Sequence, residues 1–267
     1  MTASDDTQAL SFGADAAGYD AGRLSYPDAL WQRLAGVGLG QGARVFEIGA
    51  GTGLATRRVL GAGAARVTAI EPDPRMAERL ATLPDPKAAL EAVVGRFEEA
   101  MLAPGAYDLG VAATAFHWCD SAVASAAAFA ALRPGGALAL FWNVYQTVEG
   151  QDAFSRAAAG LLAEADNDGA AMAAAIAASL PDLPRYRAAL GAAGFQPITT
   201  ETITWQAEHD STGMVALYAS FSVVRGLPQA ARDRFLEGIR TLAEGRFGGR
   251  LTRTYHTPLL IALKPLD

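Results

Sequence analysis

Cysteine is nearly absent. Cys119 stands alone among 267 residues, so the chain can form neither an internal disulfide nor a cysteine-built metal site, and it is expected to work in the reducing cytoplasm. Histidine occurs three times, without a His-Glu-x-x-His spacing, so no protein-held catalytic metal is expected. The 22 lysines and arginines are outnumbered by 28 acidic residues and form no run. A nucleic-acid partner is not expected, because phosphates call for a basic stripe. No apolar stretch approaches the roughly 18 residues that cross a bilayer, and the first twenty residues lack the basic-then-apolar order of a signal peptide. A membrane partner is likewise not expected. Gly-x-Ser-x-Gly is missing, which removes one common hydrolase signature.

Apolar residues, by contrast, make up 51% of the chain. That content and length suit one large domain carrying a cap. From Ala43 to Leu140, short apolar runs alternate with helical patterns, the mark of a parallel sheet built from βαβ units. Strands are expected at 43–48, 65–70, 90–94, 107–113 and 136–142, with helices over Leu54–Leu60, Pro74–Ala81 and Ser121–Leu132. Residues 150–180 are alanine-rich at helical spacing, and Leu183–Ala193 reads as a further helix. A strand follows at 198–207, then helices near Thr212–Ser220 and Gln229–Glu244. The last strand, 250–264, contains Pro258, which predicts a bulge or bend.

The chemistry concentrates after the first strand, at Glu47-Ile48-Gly49-Ala50-Gly51-Thr52-Gly53. Glycines in a strand-to-helix turn admit a ligand close to the backbone. The dinucleotide fingerprint would need its third glycine where Leu54 stands. Glu71 ends the next strand about twenty residues on, the place of a carboxylate that holds ribose hydroxyls, and the following Pro72-Asp73-Pro74 makes Asp73 the natural helix cap.

These segments, with Gly95-Arg96-Phe97-Glu98 and Leu132-Arg133-Pro134-Gly135-Gly136, resemble the motifs of class I S-adenosylmethionine-dependent methyltransferases. Ala115-Phe116-His117-Trp118, together with Tyr19, Arg23 and Tyr26-Pro27, is similar to a small-molecule subgroup carrying an FHW signature. The resemblance implies a Rossmann-like, doubly wound α/β sheet of seven mainly parallel strands with an antiparallel last strand and a helical cap. One methyltransferase domain would then occupy 1–267, with a cofactor-binding core at 15–143, a cap insertion at 144–195 and sheet-completing elements at 196–267.

It also implies a site. Gly49, Gly51 and Gly53 would shape the turn against the methionine part of S-adenosyl-L-methionine, Glu47 would order its amino group, and Glu71 with Pro72 would hold the ribose end. Phe97 and Glu98 would flank adenine, and Ala113, Thr114, Phe116 and His117 would line the methionine end. Arg23 could meet the cofactor carboxylate bidentately, Tyr19 could lie beside the sulfonium, and Tyr26 accompanies them. Trp118, Trp142 and Tyr145 are candidate acceptor walls, as are Phe154, Trp205 and Tyr218. His117, with Tyr19, is the candidate catalytic residue, a base only if the acceptor is a neutral hydroxyl or carbon acid. Of the other histidines, His209 is placed to cap a helix or face the pocket. The expected activity is methyl transfer to a small, partly apolar organic acceptor, the oligomeric state being unreadable. An NAD(P)-dependent oxidoreductase and a non-catalytic S-adenosylmethionine-binding module remain the alternatives.

Overall fold

The computed structural model describes residues 22–85, 89–144, 152–166 and 181–266. Its helices are α1 (Asp28–Ala35), α2 (Leu54–Gly61), α3 (Pro74–Ala81), α4 (Ser121–Ala131), α5 (Ala153–Asp166), α6 (Leu183–Ala192), α7 (Ser211–Ala219), α8 (Ser222–Arg225) and α9 (Gln229–Gly245). The strands are β1 (Arg44–Ile48), β2 (Arg66–Glu71), β3 (Leu90–Val94), β4 (Tyr107–Ala113), β5 (Leu132–Phe141), β6 (Ile198–Asp210) and β7 (Arg250–Leu263). They form one seven-stranded sheet in the order β3-β2-β1-β4-β5-β7-β6.

All pairings from β3 to β5 are parallel, and β7 runs antiparallel to both β5 and β6. Strands covered on both faces carry near-continuous apolar runs, and β1 is buried at four of its five positions. On one face Leu30, Trp31 and Leu34 of α1 and Ala55 and Val59 of α2 meet Val45, Val67 and Val111. The opposite face packs Phe46, Leu138 and Leu140 against Ala124 and Ala128 of α4 and Tyr186 and Leu190 of α6. Chain order reverses between β1 and β4. Connections leave to opposite sides there, opening the crevice in which doubly wound sheets bind ligands.

Helix starts follow the capping chemistry. Asp73 accepts from the Arg75 amide at the head of α3, Asp120 from Ala122 and Val123 at α4, and Asp210 from Gly213 at α7. Each satisfies amide donors that a first helical turn leaves open.

Two expectations need correction. Pro258 makes no bulge: β7 stays in register with β6 throughout, Thr202 opposite Pro258. The Pro258 carbonyl faces β5 and accepts from the Trp142 amide. Because a strand residue's N–H and C=O point the same way, the missing donor falls where β5 pairing has ended at Phe141–Leu259, and the β6 ladder loses nothing. Nor does the cap coincide with 144–195. The β6–β7 pair runs past the end of β5, and α5, α7 and α9 pack on this extension through Phe154, Leu162, Met214, Tyr218, Phe235 and Ile239. Helix α6, inside the expected cap, lies on the sheet beside α4, because Tyr186 and Leu190 complete the apolar face there.

Gly110 in mid-β4 shows how tightly the central strands are packed. A Cβ there would lie 2.2 Å from Phe46 Cζ and 2.9 Å from Leu138 Cδ1. Gly110→Ala is expected to lower the unfolding free energy by about 1–3 kcal/mol in denaturant titration, the usual cost of overpacking. Adding Phe46→Leu should recover part of that loss; a fully stable Gly110→Ala single variant would contradict the packing.

Candidate active site

The glycine turn leaves β1 at the crevice with Gly49, Gly51 and Gly53 at φ +63°, +58° and +88°, a region that side-chain-bearing residues rarely enter. Crowding reinforces the requirement at Gly49, where a Cβ would sit 2.6 Å from the Ala115 Cβ, and at Gly53, where it would meet Leu83 Cδ1 at 2.4 Å. Gly51 has open space around it. Its amide is aimed instead at Glu71, whose Oε2 accepts it at 2.8 Å, while Oε1 accepts the Asp73 amide at 2.9 Å.

Glu71 is 6% exposed. Burial raises its pKa, and the two amides, which favour the carboxylate, pull the other way. Asp73, read as the cap of α3, holds that place and also pairs with the Arg75 guanidinium at 2.7 Å. Pro72 between them is exposed.

Glu47 lies one strand away, fully buried, with Oε2 accepting from Thr56 Oγ1 at 2.6 Å. Burial, opposed by that hydrogen bond and reinforced by the neighbouring Glu71 charge, pushes its pKa up to about 8. Burial thus favours the protonated form of Glu47 beside a second carboxyl. Thr56 went unnoticed in the sequence. Its signal is its place on the buried face of α2 between Ala55 and Val59, nine residues from a carboxyl needing a donor.

Across the switch point, Thr114 follows β4 at φ +54°, the single positive-φ residue other than glycine among the described residues. A β-branched residue in this conformation must be held there. Its amide donates to the Phe141 carbonyl at 2.7 Å, and its hydroxyl shares a 2.8 Å hydrogen bond with the Tyr26 hydroxyl. Tyr26 is buried edge-on against Phe141 and Trp31, so it reaches the site through Thr114.

The Phe116–Trp118 turn comes next. Phe116 is fully buried, its ring edge-on to Tyr186 at 5.4 Å, which makes it core. His117 Nδ1 accepts from Trp142 Nε1 at 3.3 Å, and burial, with the Arg23 charge adding to it, lowers the histidine's pKa to about 4. Trp142, expected as an acceptor wall, is 1% exposed and stacked on Tyr186 with ring centroids 5.4 Å apart. Its indole ring faces protein. Trp118 is half-buried beside His117.

Arg23 donates to the Ser220 carbonyl at 3.3 Å and lies over the Phe221 ring. The preceding Gly22 is pressed so close to α7 that a Cβ would stand 2.2 Å from the Ala216 carbonyl oxygen. The segment before α1 thus ties the cap to the crevice and brings a cation near His117. Phe97 turns its ring into the core, stacked on Phe46 at 5.5 Å, leaving its backbone at the crevice side of β3. Glu98 Oε1 accepts the Asp120 amide at 2.9 Å and pairs with Arg96. Tyr19 and Tyr145 lie outside the described residues.

The remaining aromatic and histidine candidates gather elsewhere. Phe154 and Tyr218 are buried in the cap core, and Trp205 donates to Thr257. His209 Nε2 bonds the Tyr255 hydroxyl at 2.6 Å inside the cap, and Asp210 supplies the cap of α7. His256 pairs with Thr204 on the β6–β7 extension. Among the described residues no cluster of three metal-ligating side chains occurs, and no helix is long and apolar enough to cross a membrane.

Glu47 makes stability depend on pH in a definite direction. The folded chain keeps the proton up to about pH 8, whereas the unfolded chain loses it near 4.5. Stability from this group is therefore complete at low pH and declines as pH rises through that window, by up to about 1.4 kcal/mol per pH unit. Glu47→Gln keeps an acceptor for Thr56 without the titration. Its unfolding free energy should match the parent near pH 5 and exceed it progressively toward pH 8, other groups such as His117 cancelling in the difference. A gap constant across that range would refute the protonated state.

The chain is similar to known proteins. It is 39% identical over 144 residues to an uncharacterized methyltransferase of Mycobacterium tuberculosis, covering 54% of this chain. It thus spans 56% of the length of the curated relatives it matches. Its fold is shared with a protein from Anaeromyxobacter dehalogenans described as a type II methyltransferase (TM-score 0.65, 22% identity, covering 92% of this chain and 99% of that one). The Haemonchus contortus phosphoethanolamine N-methyltransferase 2, solved in complex with S-adenosyl-L-methionine, superposes with a TM-score of 0.61 at 14% identity over 99% of this chain and 60% of that one. Residues 46–140, which carry the glycine turn, Glu71, the Phe116–Trp118 turn and most of β5, match the family model described as a methyltransferase domain.

Proposed function

We propose that the protein is an S-adenosylmethionine-dependent methyltransferase acting on a small, partly apolar organic acceptor. The observation that carries this reading is the pairing, at the switch point of the sheet, of a left-handed glycine turn with a buried carboxylate that already accepts the turn's central amide. The match of residues 46–140 to a methyltransferase domain supports it independently.

The donor set suits that cofactor. Glu71 offers acceptor oxygens to a pair of ribose hydroxyls, and Glu47 offers a carboxyl to an ammonium group. Arg23 supplies the cation for a carboxylate. Gly49, Gly51 and Gly53 bring bare backbone to the methionine end, with Ala113 and Thr114 opposite, and the Phe97 backbone and Glu98 stand where adenine would lie. When bound, S-adenosylmethionine supplies a methyl group already activated by its sulfonium charge. The chain's task is then to hold two reactants in line and keep water out, which costs little in catalytic side chains and much in positioning. Trp118 and Tyr145 are the side chains assigned to the acceptor, and Tyr19 to the sulfonium.

Titration calorimetry with S-adenosylmethionine, S-adenosylhomocysteine and a nicotinamide dinucleotide tests the reading. Micromolar binding of the adenosyl compounds alone is expected, and binding of the dinucleotide alone would overturn it. Glu71→Ala should weaken S-adenosylhomocysteine binding about 10- to 100-fold, the worth of charge-assisted hydrogen bonds of about 1.5–3 kcal/mol. Unchanged affinity would remove Glu71 from the ribose role.

A further inference from the structure

His117 and Trp142 hold a proton arrangement that bears on which acceptors this site takes. An indole nitrogen donates and does not accept, so the 3.3 Å contact from Trp142 Nε1 requires a lone pair on His117 Nδ1. In a neutral ring the proton then belongs to Nε2. The contact is supported from three elements. Trp142, directly after β5, stacks nearly parallel on Tyr186 of α6, at 7° between planes. Tyr186 stands perpendicular to Phe116, the residue preceding His117. The imidazole is thereby fixed at Nδ1 by a buried aromatic stack, leaving Nε2–H as its remaining polar group.

Among the described residues, the titratable groups beside it are not alternative bases. Arg23, from the segment before α1, is a permanent cation. Cys119, two residues on, is a thiol pushed up to about 12 by burial, and burial likewise raises the pKa of the Tyr186 phenol.

We propose that Trp142 is a positioning residue that keeps His117 in the Nε2–H tautomer, so that His117 gives the acceptor a hydrogen bond and does not take its proton. The proposal rests on the methyltransferase reading and narrows it. The acceptors that follow are those whose nucleophilic atom can accept that hydrogen bond and still keep a lone pair free at working pH: an oxyanion or a thiolate. Neutral alcohols and carbon acids, which need a base within the site, fall outside the class.

Long-range proton–nitrogen NMR of the uniformly ¹⁵N-labelled chain reads the tautomer directly, with His117 assigned by the signals lost in His117→Gln. The expected spectrum shows a protonated Nε2 and an unprotonated Nδ1, unchanged from pH 5.5 to 8. A protonated Nδ1 or an imidazolium in that range would overturn the proposal. Trp142→Phe keeps a ring against Tyr186 and removes the donor, so His117 should then populate both tautomers, with S-adenosylhomocysteine affinity within about twofold of the parent. A single unchanged Nε2–H tautomer in that variant would remove Trp142 from the role; if the variant does not fold, the parent spectrum alone decides. A mass-spectrometric screen with S-adenosylmethionine should find products from carboxylates or thiols and none from matched neutral alcohols. Methylation of an alcohol would count against the proposal. The NMR arms need no ligand, so absent cofactor binding would sink the functional reading while leaving the tautomer result standing.

Discussion

A hydrogen bond of 2.8 Å between the Gly51 amide and the Glu71 carboxylate joins the glycine turn after β1 to the acid at the end of β2. It exists because β1 and β2 are parallel neighbours in register, Ile48 beside Ile70, so the turn after one and the terminal residue of the other arrive together. The bond favours a carboxylate in a place where burial disfavours charge. It also ties the left-handed turn to the end of the neighbouring strand. Glu47, Thr56 and Asp73 are then arranged around an acid whose position is already set.

The other bank of the crevice is assembled by aromatic packing. Tyr26 holds Thr114 in its strained backbone through a hydroxyl pair, and Trp142 holds His117 through its indole. Both aromatics read in the sequence as ligand contacts, and both are buried. Their influence on the site passes through a neighbour. The expectation failed for a physical reason: a residue type indicates what a side chain can do, whereas its distance from solvent depends on what packs over it, here Tyr186 from α6 and Phe141 from β5.

The glycine turn, Glu71 and the Asp73 cap were legible because each follows from local rules: dihedral tolerance, strand-end placement and the residue preceding a helix. The strands were legible for the same reason, since a parallel strand buried on both faces leaves a continuous apolar run. The cap was less so. Apolar spacing over Ala153–Asp166 and Leu183–Ala192 marks a buried stripe on each helix, but one stripe meets the β6–β7 extension and the other the sheet. Pro258 misled similarly. A missing donor weakens a strand only if its N–H would face a partner, and that depends on where β5 ends.

By itself, then, the sequence determined the alternation of strands and helices, the turn that must be glycine and the acid at the end of β2, all features set within a few residues of one another. Tertiary structure alone decided which strand neighbours which, and so the switch point. It decided too that burial raises the pKa of Glu47, that Thr56 serves it, and that the Trp142 indole donates to His117. Those properties depend on desolvation and on contacts between side chains on different elements, and neither exists until the chain has closed around them.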